Sequence, residues 1–199
     1  LSLHAAHLNH GFRGAAADSD EIFVNEVCKK IGVQLSCQQS DVFAYKKAHQ
    51  LSMEQAARDV RYAFLTKTAV EQGANIVALG HTFDDQAETV LMHIVRGTGL
   101  TGLRGMQRMS KRSCYGTEIA LFRPLLETSR KDTLLYCTAL QLLPREDETN
   151  YSTEFNRNRI RHDLIPYLEN YNPAIKEALV RLSLGAQKDL QYLESNVND

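Results

Sequence analysis

The sequence predicts an α/β fold with a doubly wound, mainly parallel sheet. Three observations predict it. Short apolar runs alternate with amphipathic stretches of helical period, as βαβ units require. The most polar clusters come just after two of those runs, where open α/β sheets bind their ligands. The length, 199 residues, suits one domain with a real core, or one domain and a fragment of a second.

Leu1 to Leu8 reads as the first strand, followed by a Gly/Arg loop. A helix from about Asp18 to Ile31 follows, with Ile22, Phe23, Val27 and Ile31 on one face. Val33 to Cys37 is the next strand. Ser52 and Gln55 form a capping box that opens a helix to Gln72, stopped by Gly73. Ile76 to Leu79 is a short apolar run ending at Gly80, which reads as a buried strand. A helix from Asp84 to Arg96 is closed by Gly97. Glu118 to Phe122 reads as a strand and Thr128 to Leu140 as a helix. Asn172 and Pro173 are an N-cap and N1 pair. They start a last amphipathic helix with Ile175, Ala178, Leu179, Leu182 and Ala186 on one face.

Hydrophobic residues make up 43% and charged residues 24%, the balance of a globular protein. No apolar run approaches the roughly 18 residues of a membrane helix. The N-terminus lacks the basic and apolar regions of a signal peptide. Cys28, Cys37, Cys114 and Cys137 lie far apart without a Cys-x-x-Cys pair, which argues against a zinc or iron–sulfur site. Dispersed thiols fit a reducing cytoplasm. The net charge of −1 decides nothing about nucleic acid, since local patches do.

Gly97, Gly99 and Gly102 match the dinucleotide fingerprint G-x-G-x-x-G. That fingerprint works only after a strand and before a helix; here it follows a helix. Gly97 is therefore read as a C-cap and the rest as a flexible loop. The strand-to-helix junction after Gly80 carries more chemistry. It gathers His81, Thr82, Asp84, Asp85, Glu88 and Thr89 within nine residues. Asp84 and Glu88, and Asp85 and Glu88, share a helix face. One carboxylate near a helix N-terminus suits the macrodipole; three repel one another unless a cation relieves them. Mg²⁺ or the ammonium of an amine substrate would do so.

Three further clusters stand out. His7, Asn9, His10 and Arg13 follow the first strand; a plain polar turn explains Asn9 and Gly11 but not the others. Arg58 and Arg61 lie on one helical face, as an exposed face with a Glu54–Arg58 pair or as a phosphate clamp. Arg157, Arg159 and Arg161 sit in a basic, amide-rich run. Arg104, Arg108, Lys111 and Arg112 occupy a stretch, 101–117, with no acid. These last two clusters together suggest a phosphate-backbone footprint.

The order of these motifs resembles the bacterial tRNA(Ile)-lysidine synthetases, N-type ATP pyrophosphatases of the PP-loop group. The resemblance runs from the first residue to about Leu168. It rests on 7–13, 52–62, 80–89, 96–103, 123–126 and 157–161 in that order. It implies an adenine nucleotide α-hydrolase-like sheet, with 1–170 a partial catalytic domain and 171–199 a helical extension towards further C-terminal domains. The group's phosphate loop, Ser-Gly-Gly-x-Asp-Ser, has no counterpart in the 199 residues. The expectation is an N-terminally truncated chain whose sheet lacks its first strand. Such a sheet exposes unpaired edges, so the fragment alone is expected to be poorly stable and inactive.

The resemblance implies ATP-dependent conversion of the wobble cytidine of isoleucine tRNA, with a CAU anticodon, to lysidine. ATP, Mg²⁺ and free lysine are the implied cofactors and substrate. The backbone near Ala6 and His7 is implied at the adenine, Asn9, His10 and Arg13 in cofactor binding, and Arg58 and Arg61 at phosphate or tRNA. Asp84, Asp85, Glu88 and His81 are implied in catalysis, with Asp84 and Asp85 as Mg²⁺ ligands. Arg104, Arg108, Arg157, Arg159 and Arg161 are implied at tRNA. His7, Arg58, Asp84 and Asp85 are expected to meet at one sheet edge. Rival readings are a tRNA 2-thiolation enzyme of the same group and a non-catalytic nucleotide- or RNA-binding module.

Overall fold

The computed structural model describes residues 2–11, 15–145 and 156–197. The chain forms two compact units, 1–77 with 111–121 and 78–110 with 122–199.

In the first unit, β1 (His4–Asn9) runs parallel to β2 (Gln34–Gln39), in register from His4 opposite Gln34 to Asn9 opposite Gln39. Helix α1 (Ala15–Ile31) connects them and packs on both. It buries Ala17 and Cys28 but leaves Ile22 and Ile31 about three-fifths exposed, so only part of the expected apolar face is covered. Helix α2 (Val42–His49) has no counterpart in the sequence reading. Asp41 caps it by accepting from the Ala44 N–H, and Val42 is fully buried. Helix α3 (Met53–Glu71) starts at Ser52, whose hydroxyl accepts from the Gln55 N–H. The expected capping box is only half made, because the Gln55 amide donates forward to Asp59 at 2.8 Å.

Strands β3 (Ile76–Ala78), β4 (Met109–Cys114) and β5 (Thr117–Phe122) form a second sheet in the order β3–β5–β4. Tyr115 and Gly116, both at positive φ, make the tight turn of the β4–β5 hairpin. β3 and β5 advance in the same direction, since Ala120 donates to Asn75 and Leu79 to Phe122. The β1–β2 sheet remains separate from this one among the described residues. β3 also departs from the expected buried strand: Ile76 is 49% exposed. It sits at the sheet's edge, with β5 covering only one side.

In the second unit, α4 (Phe83–Val95) is the central helix. Ala87, Val90, Leu91 and Met92 pack with Ile160, Ile165 and Leu179 into one core. Gly97, at φ 76°, ends α4 as expected. The expected flexible loop instead closes into a short helix, α5 (Leu100–Leu103), where His93 Nδ1 meets the Gly102 carbonyl at 2.7 Å. Helix α6 (Arg130–Ala139) follows β5. Helix α7 (Asn156–Arg159), a π-helical turn (Ile160–Leu164) and α8 (Ile165–Glu169) form one continuous stretch. The last helix, α9 (Ile175–Val197), packs on α4 and α5, so residues on both sides of position 170 share this unit.

The expected face of α9 is buried at Leu179 and Ala186 but departs at one position. Leu182 is 45% exposed, and Ser183 is fully buried in its place. A Ser there is satisfied: it accepts from the Gln86 amide at 2.7 Å and donates to the Arg104 carbonyl at 2.8 Å. Gln86 also exchanges two hydrogen bonds with the Met106 backbone. Gly105, at φ 59°, lets the chain pass close to Gln86, where a Cβ would meet the amide at 2.7 Å. This polar lock ties 104–106 to α4 and α9.

Candidate active site

The junction after Gly80 becomes the start of α4. Thr82 is its N-cap, and its hydroxyl accepts from the Asp85 N–H. Asp85 Oδ2 accepts in return from the Thr82 N–H at 2.8 Å and the Thr82 hydroxyl at 2.9 Å, completing a capping box. The N-terminus of α6 lies alongside. Phe83 donates to the Thr128 carbonyl at 2.9 Å, and the Arg130 N–H donates to Asp84 Oδ2 at 2.7 Å. Two helix N-termini therefore converge on these carboxylates, and each favours negative charge there.

Glu88, one turn further along α4, is 2% exposed. Arg161 grips it in a two-point contact, Nε to Oε1 at 2.7 Å and a terminal nitrogen to Oε2 at 2.9 Å. Arg157 Nε donates to Oε2 at 2.9 Å. The free oxygen of Asp85, Oδ1, faces Arg130, Arg157 and Arg161 at 3.2–3.4 Å. Lys176, from α9, bridges Asp84 and Glu169 at 3.3 Å each. Four carboxylates thus face four cations.

Burial alone would raise the Asp85 pKa. The Thr82 N–H, Arg157, the Thr82 hydroxyl and Arg130 together outweigh it and hold the carboxyl below its usual range. For Arg161, burial works against the charge, but Glu88, Asp85 and Asp84 raise its pKa. Burial likewise opposes the Lys176 charge, and Asp84 and Glu169 raise its pKa. Asp85, Arg161 and Lys176 are therefore ionised at neutral pH.

The expected cation at Asp84, Asp85 and Glu88 is therefore supplied by the protein's own Arg and Lys side chains. The expected Mg²⁺ ligation by Asp84 and Asp85 does not fit this donor set. Asp85 Oδ2 is held in the cap and Oδ1 among guanidinia, while Asp84 is divided between Lys176 and a backbone N–H. Among the described residues no group of three or more His, Cys, Asp or Glu can hold a metal. His81 is half-buried, immediately before the cap.

The basic residues of 101–117 lack acids in sequence but find them in space. Arg104 meets Glu194, Arg108 meets Glu127, Lys111 meets Glu118 and Arg112 meets Asp59. The footprint expected from sequence is thus largely neutralised, because chain distance does not measure charge distance. Arg157 and Arg161 face α4 inside the unit, whereas Arg159 is exposed.

The other candidates belong to the first unit. Ala6 is exposed and His7 half-buried near the end of β1. Asn9 is 3% exposed and its side chain is spent on the turn: its oxygen accepts from the Gly11 N–H at 2.9 Å and its amide donates to Asp18. These bonds suit the plain-turn reading of Asn9. Arg61 donates to His10 Nε2 at 3.4 Å, which brings two of the sequence clusters together. Burial first, then the charges of Arg61 and His7, pull the His10 pKa down to about 4, so its ring is neutral. Arg58 lies 5.1 Å over the Tyr62 ring. Arg13 lies outside the described residues. The expected meeting of His7 and Arg58 with Asp84 and Asp85 involves both units, each of which is described by itself.

Sequence reasoning missed Arg130, Glu169 and Lys176. One signal existed for Arg130. A cation at the first position of a helix opposes the macrodipole, which points to an acid elsewhere that holds it.

A PP-loop domain profile matches residues 1–168. The chain belongs to the PP-loop family. This PP-loop chain is 45% identical over 195 residues to the tRNA(Ile)-lysidine synthase of Dehalococcoides mccartyi strain CBDB1, covering 98% of the chain and 41% of that protein. It is 38% identical to the tRNA(Ile)-lysidine synthase of Clostridioides difficile strain 630, with the same coverages. With that of Geobacter sulfurreducens the identity is 42%, over 91% of the chain and 37% of the relative. The chain spans about two fifths of the length of the curated relatives it matches. Among solved structures, the U34-tRNA thiolase of Methanococcus maripaludis superposes with a TM-score of 0.71, over 96% of this chain and 62% of that one. At 22% identity this likeness concerns the PP-loop fold. No helix among the described residues is long and apolar enough to cross a membrane.

Proposed function

We propose that the protein is a cytoplasmic, ATP-dependent ligase that converts the wobble cytidine of an isoleucine tRNA with a CAU anticodon to lysidine. The cytidine O2 attacks the α-phosphorus of ATP and pyrophosphate leaves. The ε-amine of free lysine then attacks C2 of the adenylated base, AMP departs, and the amine sheds a proton.

The observation that carries this reading is the buried carboxylate–guanidinium cluster around Glu88, in a chain 45% identical to a tRNA(Ile)-lysidine synthase. Asp85, held ionised below its usual range, is a poor proton acceptor and serves to hold Arg130, Arg157 and Arg161 in place. Asp84 already binds one primary ammonium, that of Lys176, which is the chemistry a lysine substrate offers. Arg157 and Arg161 keep the carboxylates in place and set positive charge beside the phosphoryl group that departs. The backbone near Ala6 and His7 remains the candidate for the adenine, Asn9, His10 and Arg13 for further cofactor contacts, and Arg58 and Arg61 for phosphate or tRNA. Mg²⁺ enters this reading as the partner of ATP, with no step assigned to it.

The test is the full-length gene product incubated with ATP, the CAU-anticodon tRNA and lysine. Release of pyrophosphate with lysine-dependent formation of AMP is expected. AMP formation indifferent to lysine would sink the lysidine reading.

A further inference from the structure

The arginines of 157–161 face two ways. Arg157 and Arg161, four residues apart, reach α4 and Glu88. Arg159 lies between them and lines a cavity of about 520 Å³ within the second unit. Met92, Ile160 and Leu164 give this cavity aliphatic walls; Arg96, Arg159, Asp163 and Tyr167 give it a polar mouth. Arg130, Arg157 and Arg161 all hold carboxylates, yet neither Arg96 nor Arg159 meets an acid among the described residues. Tyr167 is 58% exposed and shares a hydroxyl contact of 3.0 Å with Tyr171.

An apolar cavity edged by an aromatic ring and by two guanidinia that meet no acid among the described residues selects a ligand with a flat apolar body and a negative backbone. An unstacked nucleotide has both. An apolar peptide would cover the walls and leave the arginines without anions. Asp163 adds an acceptor for an exocyclic base amine, which cytosine and adenine carry.

The position suits a neighbour of a reacting base. Met92 is one turn beyond Glu88 on α4, roughly 6 Å along the axis. The stretch that presents Arg159 and Asp163 to the cavity also presents Arg157 and Arg161 to the carboxylates. A π-helical turn, Ile160–Leu164, is set into it, a feature frequent at functional sites.

We infer that this cavity holds an unstacked nucleotide of the tRNA anticodon loop next to the one that reacts. Its phosphates lie on Arg96 and Arg159, and its base between the aliphatic walls and Tyr167. The inference rests on the tRNA reading above and adds a second point of contact to it.

The test measures binding of a fluorescein-labelled anticodon stem–loop to the full-length gene product across a salt series. Arg159→Ala and Arg96→Ala are each expected to weaken binding roughly three- to tenfold and to flatten the dependence of log K on log salt by about 0.7–1. Val95→Trp introduces an indole at the cavity edge from a position 64% exposed. It is expected to weaken binding about tenfold while leaving that slope unchanged. Wild-type affinity and slope in the two arginine variants would overturn the inference. So would a Val95→Trp protein with unchanged RNA affinity and a lowered Tm without RNA, which would mark the cavity as a seat for protein. Because the readout is binding, a wild-type protein that shows these sensitivities but makes no lysidine discards the reaction and keeps the cavity.

Discussion

Thr82 with Asp85, and Ser129 with Asp132, start α4 and α6 in the same way. In each the N-cap hydroxyl takes the N–H of the third helical residue, and the carboxylate of that residue returns to the cap. The two boxes lie side by side, joined by the bond from Phe83 to the Thr128 carbonyl. Their surroundings separate them. Asp132 is exposed and holds only its own cap. Asp85 is half-buried, and its second oxygen is surrounded by Arg130, Arg157 and Arg161. A local motif worth about 1 kcal/mol as a cap becomes part of a site only where distant segments bring charge to it.

The largest test of that contrast is Glu88→Ala, which leaves Arg157 and Arg161 without their main buried partner. It is expected to cost about 3–5 kcal/mol in urea unfolding and to abolish lysine-dependent AMP formation. Retention of both would mean that the cluster is dispensable. Next come the caps themselves. Thr82→Ala and Ser129→Ala should each cost about 1 kcal/mol. Only Thr82→Ala should lower kcat/KM, by roughly tenfold, since it frees Asp85 to turn. Equal losses of activity in the two variants would erase the distinction between the boxes.

The third test is acid stability. The folded-state pKa of Asp85 is lowered, so its contribution is present above the unfolded value of about 3.9 and is lost as pH falls below it. The gap in stability between wild type and Asp85→Asn should be full at pH 7 and shrink below about pH 4. An unchanging gap from pH 7 to pH 2 would show that Asp85 acts through shape and not charge. The smallest effect concerns the first unit. An NMR titration should place the His10 midpoint about pH 4, and a midpoint near 6.5 would mean that His10 is neither buried nor beside Arg61 in solution.

The sequence by itself determined the alternation of β1, α1, β2, α3, β3 and α4, the stop at Gly97 and the crowding of carboxylates after Gly80. These follow from chemistry between near neighbours: apolar periodicity, caps and positive-φ glycines. The misses share a cause. β4 has no counterpart in the sequence reading because its alternation is carried by polar residues. Ser183 was overlooked on α9 because its partners, Gln86 and Arg104, are 97 and 79 residues away. Only the tertiary structure decided that Arg130, Arg157, Arg161 and Lys176 neutralise the carboxylates, and that Arg159 turns the other way. Which cation reaches which carboxylate depends on how helices pack, and Coulomb attraction over 3–4 Å leaves no mark on residues so far apart in the chain.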